Sequence, residues 1–479
     1  MSGGTPTPAT LNVAIIGAGP AAFYAAEALL RDGPAGVHVD MFDRLPTPFG
    51  LVRHGVAPDH QKIKNVTKSF SQVAADPRFR FFGNVEFGRD LSLEDIRTHY
   101  NQVLFATGAQ TDRRMGIPGE DLRGSHPATA FVAWYNGHPD FQDCQFDLSQ
   151  ERVVVVGVGN VAVDVARILC LSREEMEQTD MPRHVIEALS NSRVREVHLL
   201  GRRGPAQAAF TNPELKELGH LAEADLVIRP DEAALDGLSR AELEASGDRM
   251  LQRKVDMIAE FAARQPEGKK RQLFLRFFVS PVELTGDASG TVTALKLVRT
   301  RLVASESGTL SAEPTGEFET IETGLVFRSV GYRGVSLPGV PFHERWGVIL
   351  NESGRVLDET SNEPLPGMYT SGWIKRGPSG VIGTNKPDSV ETVAAMLEDA
   401  AAGRTFAPTA SPRDAYPAAL ESRGRRCVTF EDWCRIDAVE QARGAREGRP
   451  RAKLTSVAEM LACLDAPAAS SSQVASAAG

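Results

Sequence analysis

LNVAIIGAGPAAFYAAEALLRDG (residues 11–33) joins a short apolar run to a glycine turn and then to an alanine-rich stretch that stops at glycine. The apolar run suits a strand that is buried on both faces. The alanine- and leucine-rich stretch, with its glycine stop, is typical of a helix. VHVDMFD (37–43) then predicts a second strand. The chain is therefore expected to open with a βαβ unit whose two strands lie parallel.

The glycine turn inside this unit has the pattern GxGxxA. Gly17 permits the tight turn, Gly19 lets the backbone approach a pyrophosphate, and the small Ala22 lets the helix pack closely on the strand. The start of the helix offers unpaired N–H groups to phosphates. Asp43, at the end of the second strand, can accept hydrogen bonds from ribose hydroxyls. The unit is interpreted as a dinucleotide site, and a glycine turn without a ligand is the alternative.

A second unit of the same kind begins about 140 residues later. RVVVV (152–156) predicts a strand, GVGNVA (157–162) repeats the glycine turn, and a helix is expected after it. The next strand ends in Gly201-Arg202-Arg203, where an NAD site would show an acid. Two guanidinium groups suit a 2′-phosphate, which favours NADPH over NADH. The alternative is a solvated arginine pair at a strand end.

Further elements are expected along the chain. We predict a long helix over roughly 60–75, for which Asp59 could serve as the N-cap. We also predict a disordered tail from about 466, because that segment is rich in alanine and serine. Strands are expected at 81–87, 102–108, 195–201, 273–280, 291–303, 317–330 and 366–373, helical segments within 235–271 and after 383, and short helices between 410 and 464.

Composition describes a globular protein with room for several domains. The chain has 479 residues, of which 42% are hydrophobic and 24% are charged, and about 100–200 residues per domain suggests about two to four domains. The net charge of −9 argues against non-specific binding to nucleic acid or acidic membranes. No apolar run reaches the ~18–20 residues of a bilayer-spanning helix. The first residues resemble neither a secretory signal nor a transit peptide, so we expect a cytoplasmic protein.

The sequence closely resembles the adrenodoxin-reductase-like ferredoxin–NADP+ reductases, most of all their actinobacterial members. The resemblance runs from about residue 11 to about residue 464. It is carried by five long motifs: PFGLVRHGVAPDHQKIKNV (48–66), FFGNVEFGRD (81–90), GNVAVDVARIL (159–169), GRRGPAQAAFTNPELKEL (201–218) and GWIKRGPSGVIGTNKPDSVETV (372–393).

The resemblance implies site residues position by position. Contacts with FAD are implied for Ala21, Asp43, Leu51 and Phe87, and positions beside the isoalloxazine for Trp373, Gly380, Val381 and Ile382. Contacts with NADP are implied for Gly157, Val158, Gly159, Asn160, Arg202, Arg203 and Glu214. Gly380 is expected to contact both cofactors. The candidate catalytic residues are His60 and Asp164, which match a pair near the contact between flavin and nicotinamide, together with Glu214.

The residues themselves support part of this assignment. The turn at Gly380 precedes a helical run, so N–H groups can face the flavin N1–C2=O edge and stabilise negative charge there. Trp373 offers a rigid face and one donor, although ordinary packing is its alternative role. Hydride transfer needs no strong general base, so His60 and Asp164 are expected to tune position and protonation. Glu214 has a plain alternative as a first-turn acid in a helix that Asn212 would cap.

The resemblance implies a ferredoxin–NADP+ reductase that uses FAD and NADPH. Our hypothesis is that NADPH delivers hydride to FAD N5 and that single electrons then pass to a separate ferredoxin, which can feed a cytochrome P450 or other acceptors. The five cysteines contain no CxxC pair, so the iron–sulfur centre must come from the partner. Because ferredoxins are usually acidic, a local basic face is expected among Arg240, Arg249, Arg253, Lys254, Lys269, Lys270 and Arg271.

Other functions remain open from sequence. A disulfide reductase would need a cysteine pair beside the flavin, and a flavin monooxygenase would show a further motif between the glycine turns. A protein like the small subunit of glutamate synthase, or a nucleotide sensor without catalysis, keeps both glycine turns. The expected fold class is α/β, with two three-layer Rossmann-like domains. The chain is expected to be a monomer. The NADP domain (109–330) would be inserted into a discontinuous FAD domain (1–108 and 331–479).

Overall fold

The computed structural model describes residues 10–410 and 419–465. Its strands are β1 (Leu11–Ile16), β2 (Val37–Phe42), β3 (Phe79–Phe82), β4 (Gln102–Phe105), β5 (Thr111–Asp112), β6 (Ser125–Pro127), β7 (Arg152–Val156), β8 (Glu196–Leu200), β9 (Ala224–Ile228), β10 (Arg271–Arg276), β11 (Val279–Gly286), β12 (Val292–Ala304), β13 (Leu310–Glu322), β14 (Leu325–Arg328), β15 (Tyr332–Arg333), β16 (Phe342–His343), β17 (Val348–Ile349), β18 (Asn351–Glu352), β19 (Arg355–Leu357) and β20 (Pro364–Thr370).

Helices alternate with these strands. They include α1 (Pro20–Asp32), α2 (Leu51–His54), α3 (Gln61–Lys64), α4 (Thr67–Ala74), α5 (Leu93–His99), α6 (Ala128–Tyr135), α7 (Asn160–Ile168), α8 (Arg173–Glu177), α9 (Arg183–Ser190), α10 (Asn212–Leu218), α11 (Pro230–Ala233), α12 (Gly237–Ser246), α13 (Arg249–Ala262), α14 (Trp373–Arg376), α15 (Asn385–Ala401), α16 (Phe430–Arg446) and α17 (Val457–Asp465). Short 3-10 turns lie at Pro139–Phe141, Pro205–Gln207 and Ile382–Thr384. No helix of the described residues is long and apolar enough to cross a membrane.

The first sheet has the strand order β18-β19-β20-β4-β1-β2-β3. The five strands from β20 to β3 are parallel, and β18 and β19 add an antiparallel edge. Because β1 is central, both of its faces are buried: Val13 and Ile15 pack toward α1, α15 and the C-terminal helices, and Ala14 and Ile16 toward α5. This sheet draws its strands from both ends of the chain.

The second sheet has the order β6-β14-β7-β8-β10-β9, and all of its strands are parallel. Helices α6, α7, α9, α10 and α13 cover one face. The other face is covered by an antiparallel sheet of β11, β12 and β13, whose Leu295 and Leu297 pack on Val154 and Val156. The third layer of this unit is therefore a β-sheet. Two linking strands, β5 and β15, pair antiparallel where the chain passes between the two units.

Local details differ from the sequence predictions. The helix expected over 60–75 is two helices, because at Asn65 and Val66 the N–H groups bond to carbonyls three residues back. His60, and not Asp59, occupies the N-cap position of α3. The strand expected over 81–87 ends at Phe82, since Asn84 adopts the left-handed conformation (φ +62°). One C-terminal helix, α16, has 17 residues where only short helices were expected. The tail expected from 466 lies outside the described residues.

A buried ion pair holds the C-terminal helices on the first unit. Arg53 donates to both carboxylate oxygens of Glu440 in α16 at 2.9 and 2.5 Å, and both side chains are almost completely buried. The same carboxylate accepts the N–H of Leu454 at 2.8 Å. The Arg53 guanidinium also lies 5.0 Å from the centre of the Trp433 ring. Both carboxylate oxygens of Glu440 are thus hydrogen-bonded, as a buried charge requires, whereas Nε of Arg53 is buried without a hydrogen-bond partner in the described residues.

Replacing Arg53 by methionine is expected to lower the free energy of unfolding by about 3 kcal/mol, the lower end for a broken buried pair. The Glu440 carboxylate loses its two bonds to Arg53 and keeps only Arg451, at 3.2 Å, as a counter-ion. Chemical denaturation of the purified protein measures this change. The control is Arg31→Met, which removes an exposed pair with Asp32 and should leave the free energy of unfolding nearly unchanged, because solvent screens the pair. An Arg53 variant as stable as the Arg31 variant contradicts the prediction.

Candidate active site

The first glycine turn leaves open space in front of helix α1. Gly17 has φ +101°, and a Cβ there would stand 2.5 Å from the Ala106 carbonyl oxygen, so the tight turn requires glycine. A Cβ on Gly19 would meet nothing within 4 Å. Ala22 is completely buried, which allows α1 to pack closely on the sheet. The start of α1, where helix N–H groups can bind phosphate oxygens, is therefore open on the side of Gly19.

Asp43 follows the end of β2 and holds the first glycine turn in place through hydrogen bonds. One carboxylate oxygen accepts the N–H of Ala18 and the other accepts the N–H of Leu45, both at 2.9 Å. Burial raises the pKa of Asp43, while these two hydrogen bonds act against the rise. Each oxygen keeps a lone pair that can accept from a ribose hydroxyl.

The other candidate FAD contacts lie around this turn. Gly50 is so close to the turn that a Cβ on it would stand 2.9 Å from the Cα of Gly19. Leu51, the next residue, exposes 39% of its surface although it is apolar. Ala21 is buried, and Phe87 packs its ring against Phe105 at the end of β4. These residues lie around the turn, but a single exposed leucine is ordinary on a protein surface and does not by itself mark a cofactor site.

The end of β20 brings the candidate flavin-side residues to the same place. A Cβ on Gly372 would stand 2.6 Å from the Cβ of Ala21, so this segment crosses directly over the start of α1. Trp373 donates its indole N–H to the Ser379 carbonyl at 3.1 Å and lies 5.5 Å from the Tyr332 ring. That bond holds the loop of Gly380, Val381 and Ile382 next to the indole, and Val381 is half-exposed.

Two residues of this segment were missed from sequence. Asp388, in the first turn of α15, accepts the Gly372 N–H at 2.6 Å and the Ser371 hydroxyl at 3.1 Å. Arg376 donates to the Ser379 carbonyl at 3.2 Å. Their place within the motif of residues 372–393 was the only signal, and it does not predict that they hold this loop in place.

The second glycine turn repeats the arrangement. Gly157 has φ +128°, and a Cβ on it would overlap the Ser329 carbonyl, whereas a Cβ on Gly159 would meet nothing within 4 Å. The Asn160 amide oxygen accepts the N–H of Thr211 at 2.9 Å. The carbonyl of Val158 accepts two further N–H groups of the same loop. The segment that follows the arginine pair is thereby tied to the turn.

Arg202 and Arg203 follow directly after β8. Arg202 is exposed and Arg203 is half-buried. Within the described residues, neither guanidinium has a carboxylate oxygen within 4.0 Å, whereas Arg276 and Arg299 of the same unit both pair with Glu232. Two guanidinium groups without carboxylate partners beside an open glycine turn are suited to a phosphate.

His60 and Asp164 meet at a cluster of charged side chains that joins the two units. His60 Nδ1 lies 3.9 Å from Asp164 Oδ1, and His60 Nε2 lies 2.8 Å from Glu217 Oε2. Arg167 donates to Asp164 at 2.6 Å, lies 3.3 Å from Glu217, and pairs with Asp59. The pairing with Arg167 explains why Asp59 does not cap α3.

Three features of this cluster were not anticipated. Glu217 and Arg167 were missed, although their i,i+3 spacing from Glu214 and Asp164 places each pair on one helix face. Thr211, not Asn212, occupies the N-cap position of α10, and no side-chain bond caps that helix. Glu214 lies in the first turn as expected, and its Oε2 is buried without a hydrogen-bond partner. A buried carboxylate oxygen of this kind can accept from a bound ligand.

The cluster shifts the pKa of its members. Burial disfavours the charged form of His60, but the hydrogen bond to Glu217 and the charges of Asp164, Glu217 and Glu214 outweigh it, so the pKa of His60 is raised. Burial raises the pKa of Asp164 to about 7, with His60 acting against the rise. The Arg167 guanidinium, 2.6 Å away, also favours the ionised carboxylate. A proton can therefore reside on either member near neutral pH.

Replacing Glu217 by glutamine should change how stability depends on pH. Because the pKa of His60 is raised on folding, the pair stabilises the protein fully below about 6.5 and loses this contribution as pH rises through the folded value. Thermal unfolding from pH 5.5 to 9 should show a lower Tm for Glu217→Gln at pH 6, and a difference that narrows toward pH 9. The control, Glu217→Gln in a His60→Gln background, should lose this pH dependence. A difference in Tm between Glu217→Gln and wild type that stays constant from pH 5.5 to 9 contradicts the raised pKa assigned to His60.

Comparisons with known proteins agree with this geometry. The model of the pyridine nucleotide-disulphide oxidoreductase family matches residues 11–204. The NADPH-ferredoxin reductase FprA of Mycobacterium tuberculosis is 45% identical, over 94% of this chain and 98% of its own length. This chain belongs to the adrenodoxin-reductase-like ferredoxin–NADP+ reductases.

Other members of the reductase family extend the comparison. The human mitochondrial NADPH:adrenodoxin oxidoreductase is 42% identical, over 95% of this chain and 92% of its own. The structure of M. tuberculosis FprA in complex with NADPH superposes with a TM-score of 0.89 at 44% identity, over 95% of this chain and 99% of that one. The family and the fold class predicted from the sequence are both confirmed.

Most of the basic residues that were expected to form the ferredoxin-docking face bond to, or lie close to, other groups of this chain. Lys254 donates to the Ala208 carbonyl, Lys269 donates to the Leu221 carbonyl, and Lys270 and Arg271 lie near Glu223. Arg271 is buried, so it cannot contribute to a surface. The exposed members of the set are Arg240, Arg249, Arg253 and Lys270.

Proposed function

We propose that this chain is an FAD-dependent NADPH:ferredoxin reductase. The observation that carries the proposal is the pair of open glycine turns, one in each unit. Beside the second turn lie two arginines that have no carboxylate partner within the part of the chain that the structure describes. The relatives named NADPH-ferredoxin reductase support the same reaction class. The flavin, when bound, would accept hydride from NADPH and release electrons one at a time.

The assignment of residues follows from their positions. FAD would occupy the unit of residues 1–108 and 331–479, over Gly17, Gly19, Ala21, Ala22, Asp43, Leu51 and Phe87, with Trp373, Gly380, Val381 and Ile382 beside its ring. NADP would occupy the unit of residues 109–330, over Gly157, Val158, Gly159, Asn160, Arg202, Arg203 and Glu214. His60 and Asp164 would lie near the reacting rings.

The side chains would perform distinct tasks. Arg202 and Arg203 bind the 2′-phosphate, and Trp373 gives the flavin-side loop a rigid wall through its bond to Ser379. The contact between His60 and Glu217 would connect the two units at this cluster and help to fix their relative position. Because the pKa of Asp164 is raised to about 7, this side chain can be either neutral or negatively charged beside His60 near neutral pH.

An anaerobic titration with NADPH tests the proposal. Purified protein should be yellow, its flavin absorbance should be bleached by NADPH and only weakly by NADH, and added ferredoxin should restore the oxidised spectrum. Protein that is colourless, or yellow but not bleached, would indicate a nucleotide sensor. Rapid bleaching without electron transfer to any ferredoxin would favour an electron-input protein like the small subunit of glutamate synthase.

Partner docking on a local basic face is the finer part of the proposal. We assign it to the surface of Arg240, Arg249 and Arg253, on a chain that we propose is a cytoplasmic monomer. Turnover of an acidic ferredoxin should fall several-fold as salt rises from 20 to 300 mM, while NADPH–ferricyanide turnover changes little, because salt screens exposed charges. The variant Arg249→Glu/Arg253→Glu should lose most of the salt dependence. Equal salt dependence with both acceptors contradicts this docking mode.

A further inference from the structure

The backbone around the arginine pair is held by residues that are distant in sequence. Thr300, in β12, donates its hydroxyl to the Arg202 carbonyl at 2.7 Å, and the Thr300 side chain is almost completely buried. Phe278, between β10 and β11, donates its N–H to the Arg203 carbonyl at 3.2 Å. The N–H of Thr300 in turn bonds to the Phe278 carbonyl at 2.8 Å. Both arginine carbonyls are therefore anchored, and the two anchoring residues are bonded to each other.

Phe278 adopts an unfavourable backbone conformation to make these contacts. Its φ is +56°, in the left-handed region that bulky residues rarely occupy. Its ring lies directly over Gly204, where a Cβ would stand only 2.5 Å from the ring Cζ. Such strain persists only where surrounding contacts enforce it, and it is concentrated at functional sites. The strain here lies next to the arginines that carry the proposed phosphate contact.

The pairing between β12 and β13 is irregular beside Thr300. Val298 pairs with Phe318 and Thr300 pairs with Pro314, so two positions along β12 match four along β13. The extra residues therefore lie in β13, and β12 runs past Thr300 without an inserted residue. The residue before Thr300, Arg299, pairs with Glu232.

We propose that Thr300 and Phe278 are positioning residues for the preference for NADPH, fixing the Arg202–Arg203 backbone so that both guanidinium groups meet one phosphate. The inference rests on the proposed function, because it requires the arginine pair to bind the 2′-phosphate. Anchored carbonyls reduce the backbone freedom that the arginines would lose on binding. Neither Thr300 nor Phe278 needs to touch the nucleotide for this effect.

The test compares matched hydroxyl deletions in one hairpin. Thr300→Val removes the bond to Arg202, Thr300→Ser retains a hydroxyl, and Thr315→Val removes a similar bond to the Arg299 carbonyl. The readouts are kcat/KM for NADPH and for NADH with ferricyanide, and the Kd of adenosine 2′,5′-bisphosphate. In Thr300→Val we expect the NADPH/NADH ratio to fall about tenfold and the Kd to rise about tenfold. The serine and Thr315 variants should stay within twofold of wild type.

A second variant keeps the proposal testable if Thr300→Val does not fold. Phe278→Gly keeps the N–H that bonds to the Arg203 carbonyl, but it removes the ring that lies over Gly204 and gives this segment more backbone freedom. It should therefore lower the same ratio several-fold, through a higher KM for NADPH. A folded Thr300→Val or Phe278→Gly protein with an unchanged ratio overturns the inference. If the double variant Arg202→Ala/Arg203→Ala also leaves the ratio unchanged, the proposed phosphate site itself fails. If only that double variant changes the ratio, the site stands and the positioning role is wrong.

Discussion

Replacing both Arg202 and Arg203 by alanine is expected to lower the NADPH/NADH ratio of kcat/KM by at least about a hundredfold. A hydrogen bond to a charged group contributes about 1.5–3 kcal/mol, and about 1.4 kcal/mol corresponds to a factor of ten. Since neither guanidinium has a carboxylate partner within the described residues, the substitution releases no buried acid. The loss should therefore appear in KM for NADPH, with kcat for NADH unchanged.

The control uses the opposite end of the same strand. Arg193 and Arg195 precede β8, are exposed, and lie at the end of the sheet away from the glycine turn. Replacing both by alanine removes the same formal charge and should leave the NADPH/NADH ratio within twofold. If both double variants change the ratio equally, general electrostatic attraction and not a phosphate site explains the preference.

Gly19→Ala is expected to abolish stable FAD binding while leaving the apoprotein intact. The new Cβ would meet no protein atom within 4 Å, so the fold has no reason to move. It would instead occupy the space that the pyrophosphate needs at the start of α1. The purified variant should retain less than a tenth of the FAD of wild type, measured by the ratio of flavin to protein absorbance. Its apo Tm should match that of wild-type apoprotein.

Two further glycine variants separate crowding of the site from a general effect of the substitution. Gly237→Ala adds a Cβ that also meets nothing within 4 Å, at the start of α12, far along the chain from the turn, and it should retain FAD fully. Gly17→Ala should lose FAD and also lower the apo Tm, because its Cβ would crowd the Ala106 carbonyl in a left-handed turn. Full FAD content in Gly19→Ala would show that the cofactor does not approach this turn.

The parts of the site that the sequence predicted are the parts encoded by short-range spacing. The two glycine turns and the Arg202–Arg203 pair lie within a few residues of the strands that position them. Their chemistry can therefore be predicted from the residues next to them in the sequence. The bond between His60 and Glu217 joins residues 157 positions apart. The anchoring of Arg202 by Thr300 spans 98 positions. The hydrophobic periodicity of a sequence does not predict contacts between residues so far apart in the chain.

The fold was predictable to a similar degree. Apolar strands followed by glycine turns predicted both parallel sheets, but not that strands β11 to β13 would replace helices as the third layer of the second unit. Their alternation was visible, whereas the face on which they pack depends on the connections of the whole unit. The break at Asn65 depends on contacts around α3 and α4, since neither residue at the break is a strong helix breaker.

The segment after α16 touches both nucleotide-binding units. Arg449 donates to the Thr179 and Met181 carbonyls, and Lys453 donates to the carbonyls of Arg53 and Asn136 at 3.1 Å. A segment placed in this way links the two units, so removing the residues after 446 should let each unit unfold separately. Intact protein should give one calorimetric peak and the shortened chain two.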